Sequence, residues 1–304
     1  LKTGARAEIA HIDNMGGAVS AIEYMKTQLV QSNSARIGRI EAGETTVVGV
    51  NKFQNGEESP LTAGEGGIMV VDPKVEQEQI DSLDAWRDAR DEGAVKAALD
   101  QLRADAKAGA NIMPASITAA KVGVTTGEWG AAMRGEFGEY RAPTGVGSAM
   151  SNSTEGLEAV QAEVSRIAGE LGSPIRLLVG KPGLDGHSNG AEQIAVRARD
   201  CGMKVTYEGI RMTPEAIVEA AISERVHIVG LSILSGSHLP LIAEVMERMK
   251  AAGLDIPVIV GGIIPDDDCD ALTGMGIARI YTPKDFDLNR IMLDIVAQIG
   301  RAHV

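Results

Sequence analysis

The second half of the chain is predicted to be an α/β domain, in which helices cover both faces of a doubly wound, five-stranded parallel sheet. Two observations predict this fold. Short β-branched apolar runs recur from Ile175 onward, and each is followed by a helical stretch of about 10 to 15 residues. Strands that alternate with amphipathic helices imply right-handed crossovers and a parallel sheet. The 304 residues are enough for two domains.

The five apolar runs predict the strands in order. They lie at 175–179, 203–207, 226–231, 256–260 and 277–281. Two of the intervening helices have clear start signals, because Thr213 precedes Pro214 and Pro265 precedes an acidic turn.

The first half is mostly helical. Helical patterns occupy 13–31 and most of 75–137, and strands are predicted at 45–51 and 67–71. Thr125 and Glu128 have the spacing of a capping box. This is too little β-structure for a barrel and too irregular for a repeat array, so this half is expected to be the end of a larger domain.

Composition changes between the halves. The stretch 143–156 is small, polar and rich in Gly, Ser and Thr, as in a flexible linker. The predicted division is therefore a first domain at 1–142, a linker and helix at 143–172, and the α/β domain at 173–304.

Charge and composition exclude several function classes. The net charge of −13 offers no basic face, so nucleic acid is not an expected partner. No apolar run approaches the roughly 20 residues of a membrane helix, and the start carries no export signal. Two cysteines without C-x-x-C spacing fit a cytoplasmic location. The first residue is Leu1 rather than Met, which suggests a fragment.

The decapeptide K-P-G-L-D-G-H-S-N-G follows the first predicted strand and starts at Lys181. Ligands bind outside the carboxyl ends of strands in open α/β sheets, and His187 lies at that edge. One imidazole nitrogen can ligate a metal while the other donates to Asp185, which Lys181 can anchor. The alternative is that Asp185 shapes a turn, Ser188 caps a helix and His187 is an exposed loop residue.

Two further motifs are predicted at the same edge. The third strand ends in Ser232-Ile233-Leu234 and the fourth in Gly261-Gly262. D-x-H-x-x-G, S-x-L and G-G at these strand ends resemble the flavodoxin-like cobalamin-binding domain that cobalamin-dependent mutases share with methionine synthase.

This resemblance implies a role for each matching residue. His187 is the expected lower axial ligand of cobalt, where it displaces the dimethylbenzimidazole base, and Asp185 and Lys181 complete a hydrogen-bonded relay. The rest of the expected cofactor-binding site is formed by Gly186, Gly190, Ser232, Leu234, Gly261 and Gly262.

The first half narrows the resemblance to one family. The D-N-M-G-G motif starting at Asp13 and the V-V-G-V-N-K-F run starting at Val47 resemble the closing part of the mutase domain in the methylmalonyl-CoA mutase family. On that basis 1–142 is the C-terminal part of the mutase domain. The F-G-E-Y-R-A-P-T-G-V stretch starting at Phe137 resembles the members that act on ethylmalonyl-CoA. Methylmalonyl-CoA is the alternative substrate.

The family resemblance implies an adenosylcobalamin-dependent isomerase that performs a radical carbon-skeleton rearrangement, here of ethylmalonyl-CoA to methylsuccinyl-CoA. The acyl-CoA would be bound by a barrel that this chain lacks, so no catalytic residue is assigned to the chain and it is expected to be incomplete alone. A homodimer of the full-length enzyme and a GTPase chaperone are the other implied partners. The alternative from a different class is a free-standing cobalamin-binding module.

Overall fold

The computed structural model describes residues 1–54, 72–147 and 156–303. Contacts divide the chain into two units. One unit combines Leu1–Gly56 with Ala142–Val304, and the other is Glu57–Arg141. None of the helices within the described ranges is long and apolar enough to cross a membrane.

The first unit contains two N-terminal helices and the α/β domain. The helices within this unit are α1 (Lys2–Asn14), α2 (Ile22–Glu41), α7 (Leu157–Leu171), α8 (Asn189–Asp200), α9 (Pro214–Ser223), α10 (His238–Ala251), α11 (Cys269–Gly274) and α12 (Leu288–His303). The strands are β1 (Arg176–Gly180), β2 (Lys204–Thr206), β3 (Ile228–Ile233), β4 (Val258–Gly262) and β5 (Arg279–Tyr281).

The five strands form one parallel sheet in the order β2-β1-β3-β4-β5, which confirms the predicted fold class. Each observed strand begins one or two residues after its predicted start. Strands β3 and β4 also end two residues later than predicted, because their pairing continues to Ile233 opposite Gly262.

Two hydrophobic cores cover the two faces of the sheet. Leu177 and Leu178 are consecutive residues of β1 and are both fully buried, but they belong to different cores. Successive side chains of a strand point to opposite faces, so burial of both shows that helices cover both sides. Helices α7, α8 and α12 pack on the face of Leu177, and α9, α10 and α11 pack on the other.

The N-terminal helical prediction is wrong in its bounds. The predicted helix at 13–31 is two helices, α1 and α2, because the chain turns at Gly16 and Gly17, whose φ angles are +96° and +88°. Glycine adopts such angles readily, whereas other residues are strained there. Helix α2 then continues ten residues beyond the predicted end.

The predicted strand at 45–51 is also wrong. This segment is a turn with an isolated bridge between Val48 and Lys52. The Asn51 side chain holds the turn, since it accepts a hydrogen bond from the Val47 N–H and donates to the Ile40 carbonyl. The other strand predicted in this half, at 67–71, lies outside the described residues.

The second unit contains α3 (Pro73–Ala89), α4 (Glu92–Lys107), α5 (Met113–Lys121) and α6 (Thr126–Phe137). The mostly helical prediction for 75–137 is confirmed. Thr125 and Glu128 form the predicted capping box, in which each side chain bonds the backbone of the other residue.

Part of the predicted linker lies outside the described residues, and α7 follows it. The contacts divide the chain between Arg141 and Ala142, but they group the N-terminal helices with the α/β domain. The assignment of 1–142, 143–172 and 173–304 to three functional segments stays a prediction.

Candidate functional site

The candidate site lies at the carboxyl edge of the sheet, where the chain order reverses. Strand β1 has β2 on one side and β3 on the other, so the crossovers from β1 and β3 leave in opposite directions. Such a switch point opens a crevice in which ligands bind. The loop that starts at Lys181 and the end of β3 border this crevice.

A relay of three side chains spans the crevice. Lys181 Nζ donates to Asp185 Oδ2 at 3.0 Å, and Asp185 Oδ1 lies 2.8 Å from His187 Nδ1. Lys181 also donates to the Ser232 carbonyl at 3.0 Å, and the Leu234 N–H donates to Asp185 Oδ2 at 2.8 Å. The loop after β1 is thereby fixed to the end of β3.

Burial divides the relay into a hidden and an exposed part. The side chains of Lys181 and Asp185 are 0% and 2% exposed, whereas that of His187 is 77% exposed. Burial alone would raise the pKa of Asp185, but hydrogen bonds from the backbone N–H groups of His187 and Leu234 and from the side chains of His187 and Lys181 lower it below its usual value. Burial lowers the pKa of Lys181, against the opposing effect of Asp185.

The relay leaves one nitrogen of His187 available. Because Asp185 is ionised, it favours a proton on the Nδ1 of His187, and the Nε2 of the exposed ring then carries a free lone pair. An imidazole held in this way can ligate a metal ion. Over the described parts of the chain, His, Cys, Asp and Glu form no group of three or more that could hold a metal.

A cavity of about 510 Å³ lies beside the relay. The predicted site residues that line it are Gly190, Ser232, Leu234, Gly261 and Gly262. The structure therefore divides the predicted site in two. One part is the relay with its exposed imidazole, and the other is a mostly apolar cavity; Gly186 lies between Asp185 and His187 in the loop.

Three of these glycines show what the cavity requires. A Cβ on Gly262 would lie 1.7 Å from the Ile233 carbonyl oxygen, so only glycine lets β4 end against β3. A Cβ on Gly190 would meet nothing within 4 Å, and one on Gly261 would reach only the Tyr281 side chain at 3.9 Å. Gly262 is needed for the fold, whereas Gly190 and Gly261 leave space that a ligand can fill.

Tyr281 belongs to the cavity and was not predicted. It lines the wall, and its hydroxyl is buried without a hydrogen-bond partner among the described atoms. Burial raises the pKa of this hydroxyl, which therefore remains protonated and can donate. Its position at the end of the fifth predicted strand was the available signal, because that end lies at the same edge as His187.

Ser188 and two further histidines of this unit lie outside the relay. Ser188 precedes α8 but makes no side-chain cap bond, and its hydroxyl accepts from Lys26 at 3.2 Å. His238 is buried and pairs with Asp268 at 2.8 Å, and His227 accepts from the Arg176 N–H. Neither histidine joins the relay.

Two known families match separate parts of the chain. Residues 1–139 match the family described as methylmalonyl-CoA mutase. Residues 175–283 match the family described as B12 binding domain. The second match contains the relay and most of the residues that line the cavity.

Curated relatives match over nearly the whole chain. An ethylmalonyl-CoA mutase of Cereibacter sphaeroides is 60% identical over 99% of this chain and 46% of its own length. One from Methylorubrum extorquens is 53% identical over 99% of this chain and 44% of its length. A methylmalonyl-CoA mutase of Cereibacter sphaeroides is 36% identical over 93% of this chain and 40% of its own length. The chain thus spans about half the length of the curated relatives it matches.

Solved structures give a weaker likeness. A cobalamin-binding protein from Desulfitobacterium hafniense aligns with 75% of this chain and 99% of its own, at 22% identity and a TM-score of 0.38. This likeness is too low to carry an argument about the site.

Proposed function

The chain belongs to the methylmalonyl-CoA mutase family, and on this premise we propose that it binds cobalamin with its base displaced and that His187 Nε2 would ligate the cobalt. The observation that carries the proposal is the contrast within the relay. Lys181 and Asp185 are buried and fixed, while the imidazole that they hold is exposed. A structural histidine at this position would need neither a buried lysine nor a buried carboxylate behind it.

The geometry fits this group. Once its own base is displaced, the cobalt of cobalamin can accept a nitrogen ligand from the protein, and the relay would offer the Nε2 of His187. The displaced dimethylbenzimidazole needs an apolar slot, which the cavity behind Gly190 and Gly261 provides. Tyr281 lines that slot, and its hydroxyl is buried without a hydrogen-bond partner among the described atoms. Lys181, Asp185, Gly186, Ser232, Leu234 and Gly262 would hold this arrangement around the cofactor.

Asp185 would position and tune the imidazole rather than react. Its carboxylate fixes the ring orientation and the tautomer, and a hydrogen-bonded carboxylate makes the other nitrogen a stronger donor. The backbone N–H groups of His187 and Leu234, followed by the side chains of His187 and Lys181, keep Asp185 ionised although it is buried. The chain's own residues would therefore bind the cofactor, orient its imidazole ligand and seclude the site from water.

For the whole protein we propose an isomerase that uses the adenosyl form of cobalamin to rearrange ethylmalonyl-CoA to methylsuccinyl-CoA. When bound, adenosylcobalamin supplies the radical that a carbon-skeleton rearrangement requires. The sequence identity to the ethylmalonyl-CoA mutases exceeds that to the methylmalonyl-CoA mutases, which supports ethylmalonyl-CoA as the substrate. The acyl-CoA would be bound by residues outside this chain. A homodimer, a GTPase chaperone and a cytoplasmic location belong to the same proposal.

The relay lies within one unit, which favours a second candidate, a cobalamin-binding module that has no partner barrel. A reconstitution separates the two. The part of the Cereibacter sphaeroides ethylmalonyl-CoA mutase that this chain does not match is supplied as a separate chain with adenosylcobalamin. Ethylmalonyl-CoA and methylmalonyl-CoA are then assayed in parallel. Turnover of ethylmalonyl-CoA above that of methylmalonyl-CoA supports the proposal.

The matched variants are His187→Ala and, as a control on α12, His303→Ala. The His187 variant is expected to lose turnover and to bind cobalamin about 10- to 100-fold more weakly, and the control to do neither. Tight cobalamin binding without turnover would favour the module. Unchanged cobalamin affinity in His187→Ala would contradict its role as ligand.

A further inference from the structure

Part of the cavity wall comes from outside the B12-binding match. Five described lining residues precede that domain in the chain by more than a hundred positions, and α2 or the turn that follows it supplies all of them. They are Arg36, Ile37, Ile40, Val47 and Val50. The apolar slot is therefore completed by a segment of the mutase-family match.

Helix α2 is firmly attached at this position. At its N-terminal part, Lys26 pairs with the buried carboxylate of Glu192 on α8 at 2.5 Å. In its middle, Val30 is fully buried in the core on this face of the sheet. At its C-terminal end, Glu41 pairs with the buried Arg197 at 3.0 Å.

Two further contacts fix the helix where it faces the cavity. Glu41 also accepts a hydrogen bond from the Leu288 N–H at 3.0 Å, and Leu288 itself lines the cavity. The Val30 carbonyl accepts one from Gln193, another lining residue. The position of α2 and the shape of the slot are therefore determined together.

The exposed side of this wall carries a charge. Arg36 is the one basic side chain among the described residues that line the cavity, and it is exposed. Asp285 is the acidic one, and its carboxylate accepts from the Thr282 N–H at 2.8 Å, so it is held in a local turn. An arginine at the mouth of an apolar slot suits a ligand with a flat apolar end joined to a phosphate.

We propose that α2 closes the nucleotide-tail pocket, with Ile37 and Ile40 against the displaced base and the Arg36 guanidinium on the phosphodiester of the tail. The inference rests on the proposed function, because it takes cobalamin as the ligand. It adds that affinity for the tail depends on a helix of the mutase segment as well as on the B12-binding domain.

The test compares cobalamin with cobinamide, which has the same corrin but lacks the nucleotide tail. Dissociation constants for both are measured on the wild-type chain and on Arg36→Ala, Ile37→Ala and Arg39→Ala. Arg39 is an exposed residue of the same helix that does not line the cavity, so it is the matched control. Circular dichroism and urea unfolding establish that each variant is folded.

Arg36→Ala and Ile37→Ala are each expected to weaken cobalamin binding by about tenfold and to leave cobinamide binding unchanged. Raising the salt concentration should reduce the effect of Arg36→Ala, because its contact is electrostatic and partly exposed. Arg39→Ala should bind both cobalamin and cobinamide with the affinity of the wild type.

The other outcomes separate this inference from the proposed function. One outcome is that the wild type binds cobalamin more tightly than cobinamide while Arg36→Ala and Ile37→Ala have the same two dissociation constants as the wild type. That result overturns the role of α2 and leaves cobalamin binding in place. An equal loss for both corrinoids would also overturn it, since the contacts would then be to the corrin. If the wild type binds neither corrinoid, the proposed function fails and this inference with it.

Discussion

At the scale of single residues, the buried pair of Lys181 and Asp185 has the strongest consequences. Both side chains are almost completely excluded from water, so each depends on the other to offset the cost of desolvation. Asp185 accepts four hydrogen bonds, from Lys181, from Leu234 and from two nitrogens of His187. The site is therefore constructed around a single carboxylate.

Asp185→Asn should lower the free energy of unfolding by about 3 kcal/mol, because it leaves the Lys181 ammonium buried without a counter-charge. Adding Lys181→Met should recover part of that loss, so that the two effects are not additive. Urea unfolding measures both. Glu163→Gln, which breaks an exposed pair on α7, is the control and should change little. Simple additivity of the two site substitutions would show that the pair is not coupled.

The pH dependence of stability should follow from the same carboxylate. The folded pKa of Asp185 lies below its unfolded value, so its contribution is present above about pH 3.9 and is lost as the pH falls below that value. The free energy of unfolding of the wild type should therefore decrease more steeply below about pH 4 than that of Asp185→Asn. Parallel curves for the two proteins would contradict this assignment.

Gly262→Ala and Gly261→Ala form a matched pair. The first places a methyl group 1.7 Å from the Ile233 carbonyl oxygen, so β3 and β4 would have to separate. The free energy of unfolding is expected to fall by at least about 3 kcal/mol. The second has open space, so the chain should fold and instead bind cobalamin more weakly, because the methyl group narrows the cavity. Thermal unfolding and equilibrium dialysis separate the two effects. Similar stability of the two variants would contradict the steric argument.

At the scale of elements, the sequence was informative where local pattern decides structure. The five strands and the capping box at Thr125 were predictable, because apolar periodicity and cap chemistry are local signals. The run starting at Val47 was not, since its β-branched pattern resembles a strand while the Asn51 side chain stabilises a turn.

The start of α6 combines a local and a long-range interaction. Thr125 and Glu128 cap it, and Arg90 forms two hydrogen bonds to the Glu128 carboxylate. The bond from Arg90, followed by that from the Thr125 backbone, lowers the pKa of Glu128 to about 2. The contribution of Glu128 to stability is then present above its ordinary value of 4.5 and is lost as the pH falls toward 2.

Thr125→Ala should therefore destabilise α6 by about 1 kcal/mol through loss of the cap. Amide exchange in the first turn of α6 should accelerate, with little change in the sheet of the other unit. Thr118→Ala is the control, because its hydroxyl bonds only within its own helix. Equal exchange rates in wild type and Thr125→Ala would show that the cap does not contribute.

At the scale of the whole molecule, the relay and the cavity lie in the same one of the two units. The chain spans 46% of the length of an ethylmalonyl-CoA mutase that it matches. The motifs predicted the relay because strand ends of a parallel sheet meet at one edge. They did not predict that α2 lines the cavity, since that depends on long-range contacts such as Lys26 with Glu192 and Glu41 with Arg197.

In the proposed site, His187 replaces dimethylbenzimidazole on cobalt. The most direct measurement is the electron paramagnetic resonance spectrum of the chain reconstituted with cob(II)alamin that carries nitrogen-15 in its dimethylbenzimidazole, for the wild type and for His187→Ala. Ligation by His187 predicts superhyperfine splitting from a protein nitrogen-14 in the wild type and its loss in the variant. Nitrogen-15 splitting in the wild type would show that the base remains on cobalt and would contradict ligation by His187.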